Sequence, residues 1–143
     1  MGDYDLLAYC GLYCGACSFR VAALEQNRKH LAAMPAKYDR LKDQPLEECR
    51  GCRIGDLCGD CGIKKCARDR GVVHCGDCGE FPCERSVKFS SDGVPHHAGT
   101  SANIGRIRQV GPQRWLAEQE ATHACRCGQR LSWYVNDCIH SEQ

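Results

Sequence analysis

Cys58-Gly-Asp-Cys61-Gly-x3-Cys66 recurs seventeen residues later as Cys75-Gly-Asp-Cys78-Gly-x3-Cys83. Each copy opens with two thiols three positions apart, so both sulfurs can reach one ion across a tight turn, and the glycines let backbone N–H groups approach the thiolates. Thirteen residues separate Cys61 from Cys75, close to the distance between paired Cys-x2-Cys units in zinc sites. Two further sets resemble these: Cys10-x3-Cys14-x2-Cys17 near the start, and Cys49-x2-Cys52 just before the repeat. The chain ends with Cys125-x-Cys127, Cys138 and His140.

The simplest assignment joins Cys58, Cys61, Cys75 and Cys78 on one ion. Cys14-x2-Cys17 and Cys49-x2-Cys52 are then two pairs that can share another, and Cys10, Cys66 and Cys83 remain. Interleaved pairings are equally allowed by spacing. In the tail, Cys125, Cys127 and Cys138 with His140 or His123 offer three sulfurs and one imidazole. Fourteen cysteines suffice for two or three zinc ions, each held by four Cys or His ligands. Such closed sites leave no position for a reacting water, so the metal would be structural. Cysteine-only ligation also suits an iron–sulfur cluster, and that is the alternative cofactor, although the Cys-x2-Cys-x2-Cys-x3-Cys-Pro run of two-cluster ferredoxins is absent. Cys10-x3-Cys14-x2-Cys17 has the radical-SAM spacing, but the chain is too short for the β/α barrel that houses that chemistry. Redox use of a Cys-x2-Cys pair calls for a thioredoxin-like βαβ pattern, and none is visible.

Fourteen cysteines in 143 residues is the density of a cross-linked scaffold. With only three Phe and few large aliphatic residues, the ordinary core is thin, and metal cross-links must carry part of the stability. The start of the chain is acidic and has no apolar run of the kind that directs secretion. No stretch is long enough to span a membrane. The expectation is a cytoplasmic protein with reduced thiols. A net charge of +1 gives no global signature for nucleic acid. A single-stranded nucleic-acid binder is still a distinct alternative, with Trp115, Trp133 or Tyr134 as stacking platforms and Arg106, Arg108 and Arg114 on phosphates. An enzyme would need an open site with a nearby acid or base. His74, His96 and Glu80 are the nearest candidates, and none sits in a catalytic pattern. His96-His97 reads as a solvated or capping pair in a loop.

The elements that must carry these ligands are mostly helical. Residues 18–33 read as a helix with Val21, Leu24 and Leu31 on one face and Ser18 as its cap. Pro35 ends it, and a short charged helix over 36–42 follows. Helical turns are expected at 63–70, stopped by Gly71, and at 83–89, with a loop over 90–95. Ile104, Ile107 and Val110 form the stripe of a helix that Gly111-Pro112 interrupts, and Trp115 and Leu116 anchor the next one. Leu131, Trp133 and Val135 alternate with Ser132 and Tyr134, which predicts a hairpin. The expected architecture is a small metal-stabilised domain, mostly α, with irregular Cys-rich knuckle loops over 1–122, followed by a zinc-ribbon-like β-hairpin over 123–143.

Several of these segments together resemble one family. Tyr9-Cys10-Gly-Leu-Tyr-Cys14-Gly-Ala-Cys17 is similar to its opening motif. Cys49-x2-Cys52, Cys58-x2-Cys61-Gly-Ile-x2-Cys66-Ala and His74-Cys75-x2-Cys78-x2-Phe81-Pro82-Cys83 resemble its centre. Asn103-Ile-x-Arg-Ile-x2-Val-Gly and Trp115-Leu116-Ala-Glu-Gln-Glu resemble its later helices. The family is the small Cys-rich prokaryotic group called domain of unknown function 3795. The resemblance implies a cytoplasmic bacterial or archaeal protein that binds zinc and has no established activity. Family members with a tail usually carry Trp-x-Cys-x2-Cys-Gly…Cys-x2-Cys. Here His123 replaces the Trp, the first pair is one residue short, and Ser141 replaces the last Cys, which would move the fourth ligand to His140. The reading is a metal-stabilised binding or adaptor module with an unknown protein partner.

Overall fold

The computed structural model describes residues 5–46, 51–53 and 62–139. Cys49, Cys58, Cys61 and His140 lie outside these residues, so the pairings that involve them belong to the sequence reading alone.

The described residues fold as short helices around three apolar clusters. Helix α1 spans Ser18–Glu25, α2 Lys29–Ala32 and α3 Asp39–Lys42. The expected helix over 18–33 is thus two. Gln26 takes a left-handed φ of 50° and its side-chain amide donates to the Ala23 carbonyl at 2.8 Å. Asn27 Oδ1 then accepts from the Lys29 N–H at 3.0 Å. Short polar side chains that bond their own backbone compete with helix continuation, and here they win. Ser18 does not cap: it sits inside α1 with its hydroxyl buried and no hydrogen-bond partner. Leu24, expected on the buried face, is 40% exposed, while His30 is fully buried in its neighbourhood.

Helix α4 spans Gly62–Arg70 and α5 Glu84–Ser90. Gly71 ends α4 at φ +70°, as the sequence indicates. Helix α6, Thr100–Val110, buries Ile104 and Ile107. It stops at Gly111 (φ 89°), and Pro112 opens α7, Pro112–Thr122, at a position where its missing N–H costs nothing. Trp115 is the largest fully buried side chain and meets Tyr13 edge-on at 6.1 Å. Leu7, Tyr13, Ala16, Ile104, Ile107 and Trp115 form the main cluster. Ala22, Leu31 and Met34 form another beneath α1 and α2.

The expected β-hairpin in the tail is not found. Among the described residues there is no strand, only the isolated bridges Leu7–Tyr13, Ala124–Arg130 and Ser132–Val135. Ser132 and Val135 exchange backbone hydrogen bonds at 3.0 and 3.1 Å, so the chain reverses over Trp133 and Tyr134, where the alternation predicts an extended strand. Trp133 has other partners. Its backbone N–H donates to Ala16 O at 2.9 Å and its indole N–H to Tyr13 O at 3.1 Å. The apolar alternation therefore reflects an anchored turn.

Candidate metal centre

The tail turn brings three thiols together. Cys125 and Cys127 flank a tight turn in which Gly128, at φ +92°, donates its N–H to Cys125 O at 3.0 Å. After the Ser132–Val135 reversal the chain returns to Cys138. Arg126 is hydrogen-bonded to Asp137 at 3.0 Å, which ties the two ends together. The sulfurs of Cys125, Cys127 and Cys138 all lie within 4.8 Å of one another, and those of Cys125 and Cys127 are 3.4 Å apart. A tetrahedral ion with bonds of about 2.3 Å holds its sulfurs about 3.8 Å apart, so the trio fits one ion. The Cys127 backbone hydrogen bond pulls the Cys125 thiol down, but burial and the neighbouring thiols outweigh it and hold this thiol above its usual range. A bound cation would reverse that balance by stabilising the thiolates. Among the described residues no other group of three His, Cys, Asp or Glu ligand atoms converges this closely.

The remaining described cysteines fall into two neighbourhoods. Cys10, Cys14 and Cys52 share an apolar cluster with Ala8 and Leu12, and the Cys52 N–H donates to the Cys14 sulfur at 3.2 Å. The Cys14-x2-Cys17 and Cys49-x2-Cys52 segments thus meet through Cys14 and Cys52, although Cys17 is nearly fully buried in its own surroundings. Cys66, Cys75, Cys78 and Cys83 lie elsewhere, around a common cleft. In the Cys75–Asp77 turn, Gly76 is required by space: a Cβ there would stand 2.7 Å from the His74 ring. Burial pushes the His74 imidazole below its usual value, and its Nδ1 accepts the Gly76 N–H at 3.0 Å. Backbone hydrogen bonding from Ser86 lowers the Cys83 thiol at the start of α5.

The candidate catalytic side chains are engaged structurally. Glu80 grips the Arg70 guanidinium with both oxygens, at 2.9 and 3.1 Å. His96 stacks on Trp133 at 4.2 Å and its Nδ1 lies 2.6 Å from the Tyr134 hydroxyl. His97 stacks on Phe89 at 3.8 Å and pairs with Asp92. The expected solvated pair is instead the mortar between the tail and the 84–97 segment. The side chains considered for nucleic-acid contact also have partners within the chain. Trp115 is wholly buried, Arg106 and Arg114 both pair with Glu118, and Arg108 donates to Gly76 O.

One constellation escapes sequence reasoning. His30, on α2, places Nδ1 2.7 Å from Ser132 Oγ and Nε2 2.9 Å from Glu25 Oε1. Glu25 also accepts the Arg130 N–H at 2.8 Å. The connectivity is that of a nucleophile, base and acid, but Ser132 is 2% exposed and His30 0%. Buried in this way, the network fastens the tail to the first helical pair. Residues 102 positions apart give no local signal for such a contact.

Short helices joined by cysteine-bearing turns, with no described helix long and apolar enough to cross a membrane, define a Cys-rich helical domain. The match to the family model described as Protein of unknown function (DUF3795) covers residues 6–88, more than half of the chain, and the chain belongs to that family. No curated protein and no solved structure matches it. The tail trio lies beyond the matched residues.

Proposed function

We propose that this protein is a zinc-stabilised binding module whose tail metal is structural. The convergence of Cys125, Cys127 and Cys138 within 4.8 Å carries this reading. Three sulfurs this close suit a single tetrahedral ion, for which zinc is the usual choice. His140, two residues after Cys138 in the sequence, is the fourth ligand we assign. With four protein ligands the ion holds the fold and does no chemistry. His74, His96 and Glu80 are each bonded to neighbouring residues, which supports a non-catalytic reading, and thiols kept for metal suit a reducing compartment such as the cytoplasm. Its partner is another protein.

The test is zinc content per chain for the wild type and for Cys127→Ala, together with thermal unfolding before and after chelation. The reading expects the variant to lose one zinc and the chelated wild type to melt at a lower temperature. Equal zinc in both proteins, or a melting point indifferent to chelation, would overturn it.

A further inference from the structure

Four of the six cysteines in the repeat that dominates the sequence lie around one cleft, none of them part of the tail trio. Cys66 on α4, Cys75 and Cys78 on the intervening turn, and Cys83 at the start of α5 line a single open cleft of about 470 Å3. Three separate segments thus supply four thiols to one space, as independent buried fillers would not. These thiols do not converge as the tail trio does, since among the described residues only the tail brings three ligand atoms within 4.8 Å. One tetrahedral ion would need sulfurs about 3.8 Å apart. A polynuclear core, bonding each cysteine through a different metal, holds its thiolates farther apart and takes four of them.

The walls suit a negatively charged core. Arg70, Arg85 and Lys88 border the cleft with Glu80 and Glu84, which leaves one cation in excess; Glu84 pairs with Lys88 at 3.3 Å, and the Arg70 guanidinium is held by both Glu80 and the Cys66 sulfur. Arg85 is tied across the cleft to Gly62 O at 3.1 Å, which links α5 to the start of α4. Cys83 accepts a hydrogen bond from the Ser86 N–H, the kind of contact that tunes a cluster ligand. Arg108 reaches in from α6 and donates to Gly76 O and Cys78 O, fixing the turn that carries two of the thiols.

We propose that this cleft holds an iron–sulfur centre bound by Cys66, Cys75, Cys78 and Cys83. The proposal is independent of the tail reading, which concerns other cysteines. The tail and the cleft are then two centres of different kinds, a single zinc and a cluster.

The experiment uses the full chain purified without oxygen, before and after incubation with ferrous iron and sulfide. Iron, acid-labile sulfide and zinc are counted, and the visible spectrum is recorded before and after reduction. The expected wild type carries iron and sulfide in equal amounts and a broad visible absorption that bleaches on reduction. Cys75→Ser with Cys78→Ser should lose the iron and keep the zinc. Cys125→Ser with Cys127→Ser should do the reverse. Cys83→Ser alone, with helix content checked by circular dichroism, is the milder variant should the double one fail to fold, and it should carry less than half the wild-type iron. A wild type that takes up zinc but no iron after incubation would overturn the proposal, as would iron retained in full by a folded cleft variant. Iron in the cleft with no zinc in the tail would uphold this centre and contradict the zinc reading of the tail.

Discussion

Cys125 illustrates how a single thiol reports on its neighbours. It is buried, and it shares hydrogen bonds with Cys127 and Cys138. Three thiols this close repel one another once ionised unless a cation stands between them. Metal binding here should therefore release protons, and affinity for zinc should fall steeply as the solution is acidified, a trend that a zinc titration at several pH values would show. His96 provides a second pH handle. Burial first, then His97 and Lys37, push its imidazole down to about 3 against the opposing pull of Asp92, while it faces Trp133 and the Tyr134 hydroxyl. An unfolded histidine titrates near 6.5. The folded value is depressed, so the unfolded chain binds a proton below pH 6.5 that the folded chain refuses. This contribution is complete above about pH 6.5 and is lost progressively as the pH falls toward about 3. Replacing His96 by Phe keeps a ring against Trp133 and removes the titration. Wild type should lose more stability between pH 7 and pH 5 than His96→Phe, and equal losses in denaturant melts at the two pH values would refute this.

At the scale of elements, the helices follow from local rules and the contacts between them do not. Ile104, Ile107 and Trp115 are legible because a 3.6-residue period and the Gly111-Pro112 break both act within a few residues. Replacing Trp115 by Ala should cost about 3–5 kcal/mol in equilibrium unfolding, the range for a large aromatic removed from a packed core. A loss below about 1 kcal/mol would mean that the site collapses without strain. Gly11 is sensitive for another reason: it holds φ +100°, and a Cβ would lie 2.9 Å from Thr100 O on α6. Gly11→Ala should destabilise by more than about 1 kcal/mol, since both conformation and space oppose it. The split between α1 and α2 is the instructive miss. Apolar periodicity runs through Gln26 and Asn27, but their side chains satisfy the backbone locally and end the first helix early. The tail misleads in the opposite sense, because alternation that matches a strand is produced by Trp133 and Val135 packing from a reversed turn. The cysteine sets were visible as sets, whereas their grouping depends on contacts such as the Cys52 N–H on the Cys14 sulfur, made across 38 positions.

Over the whole molecule, the tail and the N-terminal segment hold each other. Trp133 bonds to Tyr13 and Ala16, Ser132 to His30, and Arg130 to Glu25. A chain ending at Thr122 should therefore melt at a markedly lower temperature than the full chain, and an unchanged melting point would show that residues 123–143 contribute nothing to the rest. The conventional core is thin, and loss of metal should reach the entire fold in the way that removal of one surface contact cannot. The most direct measurement is X-ray absorption at the zinc edge on the purified full chain. The account predicts nearest neighbours dominated by sulfur at about 2.3 Å. A zinc surrounded only by lighter atoms at about 2.0 Å, or a folded chain without zinc, would contradict it.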